Sequence, residues 1–302
     1  MNKRNVSASV RARLLARARA ERLDFSRVLT RYALERFLYR LGISKHADNF
    51  FLKGALLFDL WFDVPLRPTR DIDLLGFGLA EAPHLVAAME DLCLLEVDDG
   101  VHFDENSLQS REIRKEANYA GIRVSLSAYI GQARCSIQID VGYGDVVTPG
   151  PELVEYPVML KGFPAPRLRA YPKYTVVAEK LESMLSLGMA NSRMKDYFDL
   201  WVLSKHGDFD GEQLKCAIAA TLLRRETQLP VSIPIALTDE FSADSQKNQQ
   251  WQAFLTKNQL NPNPLARVVE ELRLFVMPLL DALNTDQKFN QRWHADDGWK
   301  KS

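Results

Sequence analysis

Two acids one residue apart in an apolar run constrain this chain more than any other feature. Residues 69–76 read Thr-Arg-Asp-Ile-Asp-Leu-Leu-Gly. On an extended strand side chains alternate, so Asp71 and Asp73 share one face while Ile72 and Leu74 share the other. The pattern requires a sheet with one buried face and one carboxylate-bearing face. Like charges that close repel, and they are tolerated where a cation sits between them. Hard divalent ions such as Mg2+ take carboxylate oxygens. Upstream lies Phe51-Leu52-Lys53-Gly54-Ala55, where the glycine permits a tight turn and successive amides at a helix start can hold phosphate oxygens. A phosphate-approaching turn followed by a metal-binding acid pair is the front end of a nucleotidyl-transfer site.

Hydrophobic periodicity organises the rest. Residues 7–20 and 25–42 repeat apolar positions at helical spacing, with Gly42 as the stop. A short helix is expected around Leu56–Trp61, ended by Pro65 and Pro68. A helix over 81–93 follows, then strands over 99–106, 109–116, 121–130 and 134–141. In the last strand Asp140 sits on the polar face, with Ile137, Ile139 and Val141 on the other. From Tyr174 the pattern becomes helical, with helices expected at about 175–188, 193–205, 211–225, 247–257 and 264–284 and a connection over 229–246. The tryptophans at 251, 293 and 299 carry no interpretable pattern.

Asp140 has the strand context and parity to complete a three-carboxylate site with Asp71 and Asp73, helping to activate an acceptor hydroxyl. A further constellation is Glu179-Lys180-Leu181 followed by residues 191–200, Asn-Ser-Arg-Met-Lys-Asp-Tyr-Phe-Asp-Leu. On a helix Arg193, Asp196 and Asp199 step by three and share a side. A cation such as Lys180 suits triphosphate and pyrophosphate charge. The ordinary alternative is an i,i+4 pair between Lys195 and Asp199. The five histidines form no ligand or triad spacing, and no Walker, Gly-x-Ser-x-Gly or zinc motif occurs.

The net charge of +0 conceals an asymmetry. Residues 1–40 hold eleven Lys/Arg, from Lys3 and Arg4 to Arg40, against Glu21, Asp24 and Glu35, a net +8 balanced by −8 elsewhere. Such a basic segment is either an electrostatic footprint for nucleic acid or a helix face whose arginines pair with the acidic remainder. Cys93, Cys135 and Cys216 are far apart and lack zinc-like spacing, so reduced thiols in a cytoplasmic protein are expected. No apolar run is long enough to span a bilayer.

The ordered segments Arg31–Leu41, Phe51–Gly54, Thr69–Leu74, Ala178–Leu181 and Ser192–Leu200 together resemble the AbiEii/AbiGii nucleotidyltransferase toxin family of type IV toxin–antitoxin and abortive-infection systems. The resemblance spans about residues 10–205. It implies an α+β fold: a polymerase-β-like nucleotidyltransferase mixed sheet with N-terminal helices and a helical C-terminal region. Carried over by position, Gly54 matches the phosphate turn, Asp71 and Asp73 the metal pair, Lys180 the catalytic lysine, and Asp196 and Asp199 the acids of the later helical motif. Two departures stand out. The turn reads Gly-Ala where the superfamily usually has Gly-Gly or Gly-Ser, and fifteen residues, Leu56–Arg70, separate it from Asp71.

The expectations are therefore a nucleotidyltransferase core over 1–172 with Arg-rich N-terminal helices, and a helical domain over 173–302. The activity expected is Mg2+-dependent transfer of a nucleotide from an NTP to RNA, with tRNA the favoured acceptor and growth inhibition the outcome. Asp71, Asp73 and Asp140 are the expected metal ligands. Lys180, Asp196 and Asp199 join them as catalytic residues, and Lys53, Gly54, Thr69, Arg70, Arg193 and Lys195 bind substrate. A genetically paired antitoxin is implied, without direct binding. Two alternatives use the same residues: transfer to a small molecule, and a nucleotide-binding module without catalysis.

Overall fold

Alternation of apolar and polar residues builds the first of two compact units, Met1–Leu60 with Thr69–Gly144 and Glu152–Ala170. The computed structural model describes residues 6–62, 68–115, 119–261 and 263–301. The unit begins with helices α1 (Val6–Ala20) and α2 (Phe25–Ile43), then β1 (Phe50–Lys53), a 3-10 turn at Gly54–Leu57 and the short α3 (Phe58–Trp61). Next come β2 (Asp71–Gly76), α4 (Ala82–Cys93), β3 (Val101–Lys115), β4 (Tyr119–Ile130), β5 (Ala133–Tyr143), β6 (Glu152–Glu155) and β7 (Arg167–Ala170). The seven strands lie in the order β3-β4-β5-β2-β1-β7-β6. The sheet is mixed: β2 runs parallel to β5 and β1 to β7, the other pairs being antiparallel.

One face of the sheet is the core. Ile72, Leu74, Ile122, Val124, Leu126, Ile137, Ile139 and Val141 are all buried, and α2 packs on β5 and β7 while α1 packs on α2 and β4. Helix α2 starts where the Asp24 side chain accepts a hydrogen bond from the Arg27 amide at 3.0 Å. Two of its four arginines are interior. Arg40 is 2% exposed; its Nη1 and Nη2 donate to the two Asp99 oxygens at 2.7 and 3.3 Å. Arg36 is fully buried, pairing with Glu35 at 3.1 Å and donating to the Pro164 carbonyl at 2.8 Å. Burial pushes the Glu35 carboxyl above its ordinary range, against the nearby Arg36 charge. Arg31 pairs with Asp59, and Arg17 with Glu21 and the Met159 carbonyl. Much of the N-terminal charge is thus bound up internally. Lys3 and Arg4 lie outside the described residues, as does Pro65.

The second unit comprises Trp61–Pro68, Asp145–Pro151 and Tyr171–Ser302. It holds α5 (Lys173–Leu187), α6 (Met194–His206), β8 (Phe209–Asp210), α7 (Gly211–Arg224), α8 (Asp239–Ala243), α9 (Ser245–Asn258), α10 (Leu265–Asn284), β9 (Gln291–His294) and β10 (Gly298–Lys301). The apolar stripe of α10, including Val268, Leu272, Phe275, Val276 and Leu279, is buried and packs on α6, α7 and α8. The last three strands form a small antiparallel sheet in the order β10-β9-β8. Among the described residues no helix is long and apolar enough to cross a membrane.

Helix positions expected from periodicity agree with the observed ones to within two residues at most ends. The differences have physical causes. β1 is a four-residue strand, buried at every position, so it lacks the alternation that marks a half-exposed strand. The strands expected at 99–106 and 109–116 are one strand, irregular between Asp104 and Gln109. There the Ser107 hydroxyl replaces the ladder, donating to the Asp104 carbonyl at 2.6 Å and accepting from the Ser127 amide at 2.8 Å. Residue 116, the expected end of that strand, lies outside the described residues. The connection at 229–246 contains α8, capped by Thr238.

Candidate active site

Register turns the acid pair into a charged row. Lys53 of β1 lies opposite Asp73 of β2, Asp73 opposite Asp140 of β5, and Asp140 opposite Arg123 of β4. Directly paired residues project to the same face, so these four side chains cross the sheet in line, on the face opposite Ile72 and Leu74. Asp71, two residues from Asp73, shares that face. On β3, Arg111 lies opposite Arg123 and extends the row by one strand.

Gly54 explains itself at this point. Its φ is +78°, and a Cβ there would sit 2.1 Å from Asp73 Oδ2. The missing side chain is therefore the space that the Asp73 carboxylate occupies, in addition to any close approach to phosphate. Lys53 is buried, and its Nζ lies 3.7 Å from where a Cβ on Gly142 would be. Gly142 of β5 is two residues beyond Asp140, so Lys53 reaches across β2 over the acid-bearing face. The Thr69 hydroxyl accepts from the Asp71 amide and donates to the Asp71 carbonyl, both at 3.4 Å, fixing the start of β2. Arg70 is exposed beside it.

Asp140 stands in the row as its parity requires, but its oxygens are engaged. Arg123 Nε donates to Oδ1 and Nη2 to Oδ2, each at 2.7 Å, with the two side chains 24% and 7% exposed. The hydrogen-bonded Asp140 holds the Arg123 proton more tightly than usual, against burial, and the Asp71 and Asp73 charges add to that hold. Among the described residues no three His, Cys, Asp or Glu side chains are gathered as a ready-made metal cage. Asp71 and Asp73 nevertheless fit Mg2+: two carboxylates on one face suit a hard ion that takes its other ligands from phosphate and water.

The second unit carries its own cluster. Lys180 of α5 donates to Asp196 Oδ1 at 3.0 Å and to Asp199 Oδ2 at 2.7 Å, both on α6. Arg193 Nε donates to Asp196 Oδ2 at 2.6 Å. Both acids are at most 2% exposed. Burial works against ionisation of Asp196, yet Lys180 and Arg193 outweigh it and hold the carboxyl below its ordinary range. Lys195 is exposed on the next position of the helix. The expected site residues thus fall into two groups, Lys53, Gly54, Thr69, Arg70, Asp71, Asp73 and Asp140 in the first unit, and Lys180, Arg193, Lys195, Asp196 and Asp199 in the second.

Sequence reasoning missed three participants. Arg123 lay in a legible alternation, Ile122 and Val124 against Arg123 and Ser125, but its partner depends on register. Asn191, fully buried, accepts from the Arg193 amide at 2.7 Å through Oδ1, and its carbonyl accepts from Lys247 Nζ at 2.9 Å. Arg225 donates to Glu182 and Asp145 at 2.7 and 3.1 Å and pairs with Glu179 at 3.5 Å. Despite its burial, those acids raise its pKa above the ordinary arginine value.

Two solved structures from Helicobacter pylori share the fold. One is JHP933, 13% identical, with a TM-score of 0.51 over 87% of this chain and 96% of that one. The other is a provisionally assigned nucleotidyltransferase, 14% identical, with a TM-score of 0.52 over 88% of this chain and all of that one. No curated relative matches the chain in sequence. The profile of the AbiEii nucleotidyl transferase toxins of type IV toxin–antitoxin systems matches residues 36–275, which include every site residue named above. With its mixed seven-stranded sheet and flanking helices, this chain belongs to the AbiEii nucleotidyltransferase toxin family.

Proposed function

We propose that this protein moves a nucleotide from an NTP to a hydroxyl of RNA, with the acceptor end of tRNA the favoured target and arrested growth the outcome. The observation that carries the proposal is the Asp71–Asp73 pair, held on the open-patterned face of β2 with Gly54 packed against it. In the reaction the acceptor oxygen bonds to the α-phosphorus, the bond from that phosphorus to its bridging oxygen breaks, and pyrophosphate leaves. Asp71 and Asp73 would hold Mg2+, which would supply Lewis-acid stabilisation of the charge that develops on the phosphates. The turn at Gly54 offers backbone amides for phosphate oxygens. Lys180 keeps the phosphate-neutralising role that the family resemblance implies, and Asp196 and Asp199 orient its ammonium group. The acceptor proton passes to solvent, because Asp140, expected from the sequence to take it, has both oxygens engaged by Arg123.

Exposed Arg11, Arg13, Arg19 and Arg22 support an RNA acceptor, which would draw the protein to the cytoplasm. The interior placement of Arg36 and Arg40 favours a second reading, a small-molecule acceptor, because it reduces the basic surface below the sequence count. The test is incubation of the full chain with total tRNA, Mg2+ and each labelled NTP in turn. Label in tRNA with the wild type, and at least a hundredfold less with Asp71→Ala, is the expected outcome. Equal labelling by the two proteins overturns the assignment of the acid pair. Absence of label from tRNA with every NTP overturns the RNA acceptor.

A further inference from the structure

The Arg123–Asp140 pair is more than a neutral contact on this face. Two nitrogens of the guanidinium are fixed against both oxygens of one carboxylate at 2.7 Å. A fork-to-fork pair of this kind sets the plane of the guanidinium and restricts its rotation. Of the five N–H groups on an arginine, two are used in this way and three remain to donate. The pair lies directly in line with Asp73, and Arg111 lies opposite Arg123 on the outer side. Like charges directly opposite each other on a sheet are destabilising, so a second arginine beside Arg123 suits a face that receives an anion. Asp140, meanwhile, has both carboxylate oxygens engaged by a cation already.

We propose that Asp140 is a positioning residue that anchors Arg123, and that Arg123 is a substrate-binding residue which grips a phosphate group beside the Asp71–Asp73 pair. The inference rests on the nucleotidyltransferase reading only in taking phosphate as the ligand of this face. Asp140 then acts through Arg123, as an alternative to ligating metal or accepting the hydroxyl proton. The phosphate belongs either to the NTP or to the RNA backbone, and the two sources are separable by experiment.

The test is equilibrium binding to the full chain, measured with a fluorescent NTP in Mg2+ and separately with labelled tRNA, for wild type, Arg123→Lys, Arg123→Gln, Asp140→Asn and Arg123→Lys/Asp140→Asn. Thermal melts check that each variant is folded; Arg123→Lys keeps the charge and Asp140→Asn keeps the shape. The expected result is about tenfold weaker binding of one ligand, the loss of one charge-assisted hydrogen bond. Asp140→Asn should match Arg123→Lys, and the double variant should be no worse than either single one, because the two residues act as one unit. Weakened NTP binding names the triphosphate as the source, and weakened tRNA binding names the RNA backbone. Unchanged affinity for both ligands overturns the proposal. So does an Asp140→Asn protein that binds both normally but needs a much higher Mg2+ concentration for nucleotide transfer, since Asp140 would then be a metal ligand. Wild-type protein that binds phosphate ligands in the expected pattern yet transfers no nucleotide would count against the transferase reading alone.

Discussion

At the residue scale, Gly54 and Asp73 show how a site position is fixed by what is absent. Alanine at residue 54 would place a methyl group on the Asp73 carboxylate and hold a left-handed φ of +78°, a conformation costing a non-glycine residue about 1–2 kcal/mol. Gly54→Ala is therefore expected to lower stability in denaturant titration by at least that amount. It should also weaken NTP binding, since Asp73 must move. A Gly54→Ala protein with wild-type stability and affinity would show that the turn tolerates a side chain. The Lys180 cluster makes a different residue-scale prediction. Removing one member of a buried ion pair leaves the other uncompensated, at about 3 kcal/mol or more. Asp196→Ala should lose less than that, about 1–3 kcal/mol in chemical denaturation, since Lys180 keeps Asp199 and Arg193 is partly exposed. A loss well under 1 kcal/mol would mean that water replaces the carboxylate. The Asp-x-Asp pair was legible because strand alternation is local. The Arg123 partner of Asp140 was not, because it belongs to a strand seventeen residues away in sequence.

At the element scale, what periodicity reveals depends on whether an element has two different faces. α7 and α10 each bury a helical stripe, while α2, α5 and α6 are buried on more than one side yet keep apolar residues at helical spacing; all of them were visible in the sequence. β1 is buried throughout, and the β9–β10 hairpin is too short to alternate clearly, so neither was. That hairpin is where Trp293 and Trp299 find their meaning. Trp293 Nε1 donates to the Ser204 carbonyl at 2.7 Å, and its ring lies 4.7 Å from that of Phe275 and 5.4 Å from that of Trp299. Truncating a buried aromatic of this kind costs about 3–5 kcal/mol. Trp293→Ala should therefore lower the thermal midpoint clearly and expose the carboxy-terminal segment to limited proteolysis. If the midpoint stays put, the hairpin contributes nothing to the second unit's stability.

At the scale of the whole molecule, the charge balance has a directional consequence. Asp196 and Glu271 both have carboxyls held below the ordinary range. In Asp196 burial is outweighed by Lys180 and Arg193. In Glu271 burial is outweighed by hydrogen bonds from Trp201, Arg267 and Lys205. A depressed folded-state pKa contributes stability that is present above the unfolded value and lost as pH falls through the folded one. Glu35, raised by burial, acts in the opposite sense. The solvent-exposed Asp24 and Asp91 of the first unit are also depressed, by local hydrogen bonds, but of the more buried acids the two depressed ones lie in the second unit and Glu35 in the first. Acid titration followed by hydrogen exchange should therefore show α6 and α10 losing protection below about pH 4, ahead of the helices of the first unit; loss of α1 and α2 first would contradict this. By itself the sequence determined the elements with two-faced patterns, the acid pair on one face of a strand, and the family motifs in their order, because each depends on neighbours along the chain. The tertiary structure decided the mixed strand order, the interior burial of Arg36 and Arg40, and the engagement of Asp140 by Arg123. Those outcomes depend on which strands pair and in what register, a choice made by packing between residues far apart in the chain.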